Sequence, residues 1–200
     1  SLPNQFDIFP SSSIVEASIS DGESIVKLET FADRILQYKQ DTLYIINISQ
    51  DIEFLEDVHK YKGVKHPSMV CKTDYGIAWV NELGCYLYDG KQVINLLEKG
   101  GRKLISDSVW QTFITESATS SSMIGYVPEK RQLIITKSNL AVSNSGDIFL
   151  YDMVTGSWTF GDTKMADVLK SNFIVHQNKL CYMITDTSNG FLTWKTTLAS

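Results

Sequence analysis

Cys85-Tyr86-Leu87-Tyr88-Asp89-Gly90 returns further along the chain as Ile148-Phe149-Leu150-Tyr151-Asp152-Met153. In each copy an aromatic, apolar run ends in Tyr-Asp. A second strand-like run follows a few residues on: Val93-Ile94-Asn95-Leu96-Leu97 in the first copy, Ser157-Trp158-Thr159-Phe160 in the second. Aromatic and β-branched residues bounded by Asp and Gly read as a strand, a turn and a returning strand. Its recurrence marks a chain assembled from repeated sheet units. The predicted fold class is therefore all-β, a β-propeller-like arrangement of four-stranded antiparallel blades. A phrase repeated for packing leaves little that is unique to one site, which argues against an enzyme.

Outward from this hairpin the same rhythm continues. Ser24–Phe31, Arg34–Tyr38, Thr42–Ile48 and Ile52–Val58 are four β-type runs separated by short polar breaks. Ser68–Thr73, Ile77–Asn81, Cys85–Tyr88 and Val93–Leu97 form a second set, with turns at Asp74-Tyr75-Gly76 and Glu82-Leu83-Gly84 and a close at Gly100-Gly101. Met123–Val127, Gln132–Lys137, Asp147–Tyr151 and Ser157–Phe160 form a third. Phe173–His176, Lys179–Thr185 and Phe191–Lys195 begin a fourth in which no last strand is evident. The expected organisation is an extended lead-in over residues 1–21, broken by Pro3, Pro10 and Ser11–Ser13, then blades over 22–62, 63–101, 118–162 and 171–200. Propellers close with about four to eight blades, so three sets and an incomplete fourth read as part of a larger propeller.

Three stretches stand outside this pattern. In Arg102–Glu116, Leu104, Ile105, Val109 and Phe113 recur at helical spacing beside Trp110, while frequent β-branched residues oppose a helix, so both readings stay open. Ala118–Ser122 reads as a small-residue loop, and Met165–Lys170 as a single helical turn between blades.

Composition narrows the function classes. The 200 residues carry a formal net charge of −5, with a pI near 5.2, against the strongly basic balance expected of a nucleic-acid clamp. Cys71, Cys85 and Cys181 are odd in number and lie in apolar strand-like runs, which predicts buried free thiols and a reducing compartment. No apolar run approaches the ~20 residues of a membrane span, and no signal-peptide pattern is evident. The chain opens on Ser1, which reads as a processed product or a fragment.

Candidate chemistry is sparse. His59, His66 and His176 have no metal-pair spacing and read as surface or turn histidines. No nucleophile elbow and no glycine-rich phosphate loop occurs. Asp89, Asp147, Asp152 and Asp162 sit beside glycines or strand ends, where carboxylates bond backbone N–H groups in tight turns. A glycosidase-type acid pair assembled in space is the competing reading for them. Trp79, Trp110, Trp158 and Trp194 read as core packing rather than a stacking platform, and the basic steps at Lys130-Arg131 and Arg102-Lys103 as solvated loops. No catalytic, cofactor-binding or metal-binding residue is assigned.

Gly63-Val64-Lys65-His66-Pro67-Ser68-Met69-Val70, then Thr73-Asp74-Tyr75-Gly76-Ile77-Ala78-Trp79-Val80, then Leu83-Gly84-Cys85-Tyr86-Leu87-Tyr88-Asp89-Gly90, resembles a unit of the nozzle, or tail-tubular, proteins of short-tailed bacteriophages. In that family a Gly…Pro-Ser segment leads into a strand. A Gly-apolar-aromatic strand follows, then a hairpin closing on Asp-Gly. Arg34–Tyr38 followed by Leu43–Asn47 is similar to the family's lead-in, so the match is clearest over 63–90 and looser over about 22–195. The resemblance implies a propeller-bearing structural virion protein of the tail, assembled in the host cytoplasm. It implies a homo-oligomeric ring, hexameric in the relatives, that adjoins the tail adaptor and lines part of the DNA-ejection conduit, with transient, non-specific passage of DNA. It supplies no catalytic residue. The alternative is a kelch-like propeller that binds proteins, which Tyr151-Asp152 and Gly156-Ser157-Trp158 would suit, although the kelch double glycine is missing before Asp147. A propeller glycoside hydrolase is the third reading.

Overall fold

The computed structural model describes residues 22–50, 52–117, 119–141, 143–165, 168–185 and 191–194. The lead-in expected over 1–21 and part of the last blade lie outside the described residues. What is described is all-β, organised as four antiparallel four-stranded sheets in chain order, with a two-stranded hairpin between the second and third.

Sheet 1 is a meander of β1 (Lys27–Phe31), β2 (Arg34–Tyr38), β3 (Thr42–Asn47) and β4 (Phe54–Lys60). Its β3–β4 register shifts between Ile45 and Ile46, a bulge at Glu56. Sheet 2 repeats the meander with β5 (Val70–Thr73), β6 (Gly76–Asn81), β7 (Gly84–Tyr88) and β8 (Val93–Asn95). Sheet 3 does so with β11 (Met123–Val127), β12 (Gln132–Thr136), β13 (Ile148–Asp152) and β14 (Ser157–Gly161).

Sheet 4 departs from that form. β17 (Lys179–Thr185) pairs with β18 (Phe191–Thr193), and along successive stretches with β15 (Leu169–Lys170) and β16 (Ile174–His176). Lys170 lies opposite Ile184, and Ile174 opposite Cys181, so β15 and β16 are pieces of one strand interrupted at 171–173. The helical turn expected over Met165–Lys170 is thereby corrected at its end: the β17 edge offers ladder partners that Leu169 and Lys170 take up as strand.

The segment left open over Arg102–Glu116 splits. Glu98–Lys99 (β9) and Arg102–Lys103 (β10) form a small hairpin around Gly100-Gly101, whose φ of +57° and +76° suit a two-residue turn that glycine enters without strain. Asp107–Phe113 is helix α1. The Ser106 hydroxyl accepts the Val109 N–H as its N-cap, and Trp110 and Phe113 are buried against the sheets. Tertiary burial of two large rings outweighs the modest propensity of the β-branched positions.

Side-chain alternation decides how the sheets stack. On sheet 1 Leu36, Tyr38, Leu43 and Ile45 share the face turned to sheet 2, where Tyr38 meets Trp79 edge-on at 5.4 Å between ring centroids. On sheet 3, Leu133, Ile135 and Phe149 join the large cluster shared with sheets 1 and 2. Ile134 and Ile148, one step along, join a second cluster with Leu180, Tyr182 and Ile184 of sheet 4. The inner strands β6, β7, β11 and β12 of sheets 2 and 3 are thus covered on both faces, which is why they read as apolar runs, while β14 stays largely exposed. Joints are tight where glycine removes a side chain. A Cβ on Gly125 of β11 would lie 2.8 Å from the Phe173 ring.

Candidate functional site

The first strands of the four sheets converge. Lys27 and Glu29 of β1, Cys71 and Lys72 of β5, Gly125 and Tyr126 of β11, and Ile174 and Val175 of β16 line one cavity of about 330 Å³. Lys27 bridges two of these strands: its Nζ pairs with Glu29 at 3.2 Å and donates to the Val70 carbonyl at 2.8 Å. Tyr126 does the same for the next joint, its hydroxyl donating to Asp74 at 2.8 Å. Burial first, and then that bond, raise the Tyr126 pKa, so it stays a donor at neutral pH. Lys27, Glu29 and Tyr126 on this cavity are therefore occupied in tying strand to strand.

A second concavity, about 640 Å³, lies between α1 and sheet 3. Leu104, Val109, Phe113, Phe149 and Phe160 make it apolar, and Lys137 and Asp147 are its charged members. Beneath it Trp110, Phe113, Phe149 and Trp158 form a continuous aromatic cluster with centroid separations of 4.6 to 6.3 Å. The size falls within the range of small-ligand sites, but the two charges do not make a reactive pair. The Asp147 carboxylate already accepts the Thr163 N–H at 3.0 Å.

The two copies of the repeated hairpin make the same local bonds. Asp89 Oδ1 accepts the N–H groups of Lys91 and Gln92, and Asp152 Oδ1 those of Val154 and Thr155, all at 2.9 Å. The Thr155 N–H, first among these bonds, holds the Asp152 carboxyl below its ordinary pKa despite the exposed position. Both aspartates stabilise the fold as turn residues. Asp162 is exposed just past β14.

The histidines are separate from one another. His66 caps a single 3₁₀ turn over Pro67–Met69, its Nδ1 accepting the Ser68 N–H at 3.2 Å. His59 pairs with Asp57 at 3.0 Å on β4, and His176 ends β16 in an exposed position. Cys71, Cys85 and Cys181 are free thiols. Burial pushes the Cys71 thiol up to about 12 and raises Cys85 as well, which leaves both protonated and unreactive. Trp79 and Trp110 are buried, and Trp110 and Trp158 donate to the carbonyls of Asn81 and Leu96, both at 2.9 Å. Among the described residues no group of three or more His, Cys, Asp or Glu could hold a metal ion, and no helix is long and apolar enough to cross a membrane.

Three features escaped the sequence reading. Asn81 sits at a crossing: its Nδ2 donates to the Tyr61 and Gly63 carbonyls and its Oδ1 accepts from Leu83 and Gly84. The loop ending at Ser122 is a buried junction, Ser122 Oγ donating to Lys137 O while accepting from Thr115 N. Glu116 is buried beside Lys65 at 3.3 Å and accepts the Glu82 N–H at 2.8 Å. Burial raises its pKa, partly opposed by that N–H and by the Lys65 charge. Only Asn81, in Asn-x-x-Gly, left a trace in sequence, as a turn signal. The serine and glutamate roles depend on what the fold places opposite them.

These groups brace sheets against one another. No family model matches the chain, and no curated protein matches it.

Proposed function

We propose that this chain is a structural assembly module, an arc of a β-propeller that serves in the ring of a phage tail nozzle or hub. The observation that carries the propeller reading is the shared cavity. One strand from each of four successive sheets lines it, as expected when sheets radiate from a common axis. The virion reading rests on the resemblance over residues 63–90, whose distinctive positions have structural duties. Gly63 lies where a Cβ would be 2.4 Å from the Lys39 carbonyl, Ser68 Oγ bonds the Ser122 carbonyl across sheets, and Asp89 closes its hairpin. A mechanical part needs rigid joints and no reactive centre, and the polar groups described above serve joints. The acidic balance suits a conduit that DNA passes without sticking.

The apolar concavity beside α1 favours a second reading, a propeller module that binds a partner protein, as kelch-like propellers do. Immunogold labelling of particles from the same source, with electron microscopy of the purified protein, separates the two. Gold at the tail and a ring of subunits are the expected result. Particles that lack the protein would overturn the virion reading.

A further inference from the structure

The concavity between α1 and sheet 3 sets two kinds of surface in adjacent rows. Phe149 of β13 lies opposite Phe160 of β14 with ring centroids 5.2 Å apart, and Phe113 of α1 meets Phe149 at 4.6 Å. Two residues along the same face, Asp147 lies opposite Lys137, whose backbone N–H donates to the Asp147 carbonyl at 3.1 Å. Both of these side chains line the cavity of about 640 Å³ together with the three rings. Asp147 is only 7 % exposed, yet its carboxylate is held by the neutral Thr163 N–H, and no cation pairs with it among the described residues. Lys137 is likewise in no ion pair there. The α1 hydroxyls at the rim are committed, Ser106 Oγ to the helix cap and Thr112 Oγ1 to the Ser108 carbonyl. A buried carboxylate without a compensating cation is costly, and here it sits beside an unused ammonium at the end of an aromatic floor.

We propose that this concavity binds a small aromatic zwitterion, of the class of the aromatic α-amino acids. Its ring packs against Phe113, Phe149 and Phe160, its ammonium meets Asp147 and its carboxylate meets Lys137. The two charges select that class. An apolar acid would satisfy Lys137 but set its carboxylate beside Asp147, and an apolar amine would meet the converse. A ligand carrying both charges side by side satisfies both residues. Two residues along a strand span about 7 Å, a step that an aromatic amino acid bridges from its ring to its charged end. The cavity size is that of small-ligand sites. This is the concavity that a partner protein would otherwise occupy, and membership of a tail does not depend on it.

Titration of the ¹⁵N-labelled chain with L-phenylalanine, 3-phenylpropionate and phenethylamine, followed in amide correlation spectra, tests it. The expected result is saturable binding of L-phenylalanine with shifts centred on Val109, Lys137, Asp147 and Phe160, and affinities for the two singly charged analogues weaker by about tenfold or more. Lys137→Met should lose about tenfold for L-phenylalanine while binding phenethylamine more tightly, because the repelling ammonium is gone. Asp147→Asn should do the same in favour of 3-phenylpropionate. Val109→Glu, at a position 52 % exposed on α1, should weaken all three by placing a charge at the apolar mouth. No binding of L-phenylalanine, L-tyrosine or L-tryptophan at about 10 mM overturns the proposal. So do equal affinities for the three first ligands, or shifts confined to other sheets. Neither outcome touches the tail assignment, which particle labelling decides. If Asp147→Asn misfolds, the wild-type ranking and Lys137→Met still decide.

Discussion

Sheets 1 and 2 are built alike and buried differently. Both are antiparallel meanders of four strands, yet every residue of β6 and β7 is buried, while β4 keeps nearly all of its residues exposed, Phe54, Leu55 and Val58 among them. The difference is both which strand is at the edge and how much of each face is covered: β3, inside sheet 1, is buried from Leu43 to Asn47. Sheet 2 has a sheet on each face, so both sets of alternating side chains leave water. In sheet 1 the Leu36, Tyr38, Leu43 and Ile45 set packs on sheet 2, and on the other face burial reaches Tyr44 and Ile46 of β3 but not Leu55 and Val58 of the edge strand β4. Stability should be concentrated where strands are buried on both faces, and least in the exposed edge strand β4.

The largest expected contrast comes from paired truncations. Trp79→Ala removes a fully buried ring that packs on Tyr38 and Tyr86, and should lower the unfolding free energy by about 3–5 kcal/mol in urea titration. Val58→Ala, at an exposed position of β4, should stay within about 0.5 kcal/mol. Equal losses would abolish the distinction between buried strand and exposed edge.

Next in size is Gly125→Ala. Its methyl group would press on Phe173 and Leu180 across the sheet 3–sheet 4 joint, an overpacking expected to cost about 1–3 kcal/mol. Hydrogen exchange should then show faster opening of β17 while β6 and β7 keep their protection. Uniform loss across all sheets would mean that the stack melts as one unit and that its end is not a separable joint.

The smallest effect is a pair of opposite pH slopes. Glu116 has a raised pKa in the fold, so it favours folding while protonated, and that contribution falls as pH rises from the unfolded to the folded value. Asp152 has a lowered pKa, so its contribution is present above the unfolded value and disappears as pH drops through the folded one. Relative to wild type, Glu116→Gln should therefore gain stability as pH rises through the range above the usual carboxylate value. Asp152→Asn should lose stability as pH rises through the range below it. Urea midpoints over a pH series give both slopes, and slopes of the same sign would contradict the assignment of one carboxylate to a joint and the other to a turn.

Much of the architecture was legible because strand and turn signals are local. The repeated Tyr-Asp hairpin, the strands of sheets 1 to 3 and the turn roles of Asp89 and Asp152 follow from neighbouring residues alone. Sheet 4 was harder: its first strand is broken at 171–173, and pieces as short as Leu169–Lys170 carry no periodicity. Helix α1 stayed ambiguous because its rings are held by distant partners, Trp110 by the Asn81 carbonyl and Phe113 by Phe149. The Ser68–Ser122 and Lys65–Glu116 contacts join residues about fifty apart in the chain, and small or charged side chains in loops give no advance sign of such meetings.

By itself, then, the amino-acid order determined an all-β chain of repeated hairpins with aspartate-closed turns, since those depend on backbone preference and on bonds spanning two or three residues. Only the tertiary structure decided which faces are covered and which polar groups are spent on joints. Burial is a property of what lies opposite a side chain, and alternation along a strand says which residues share a face without saying what that face will meet.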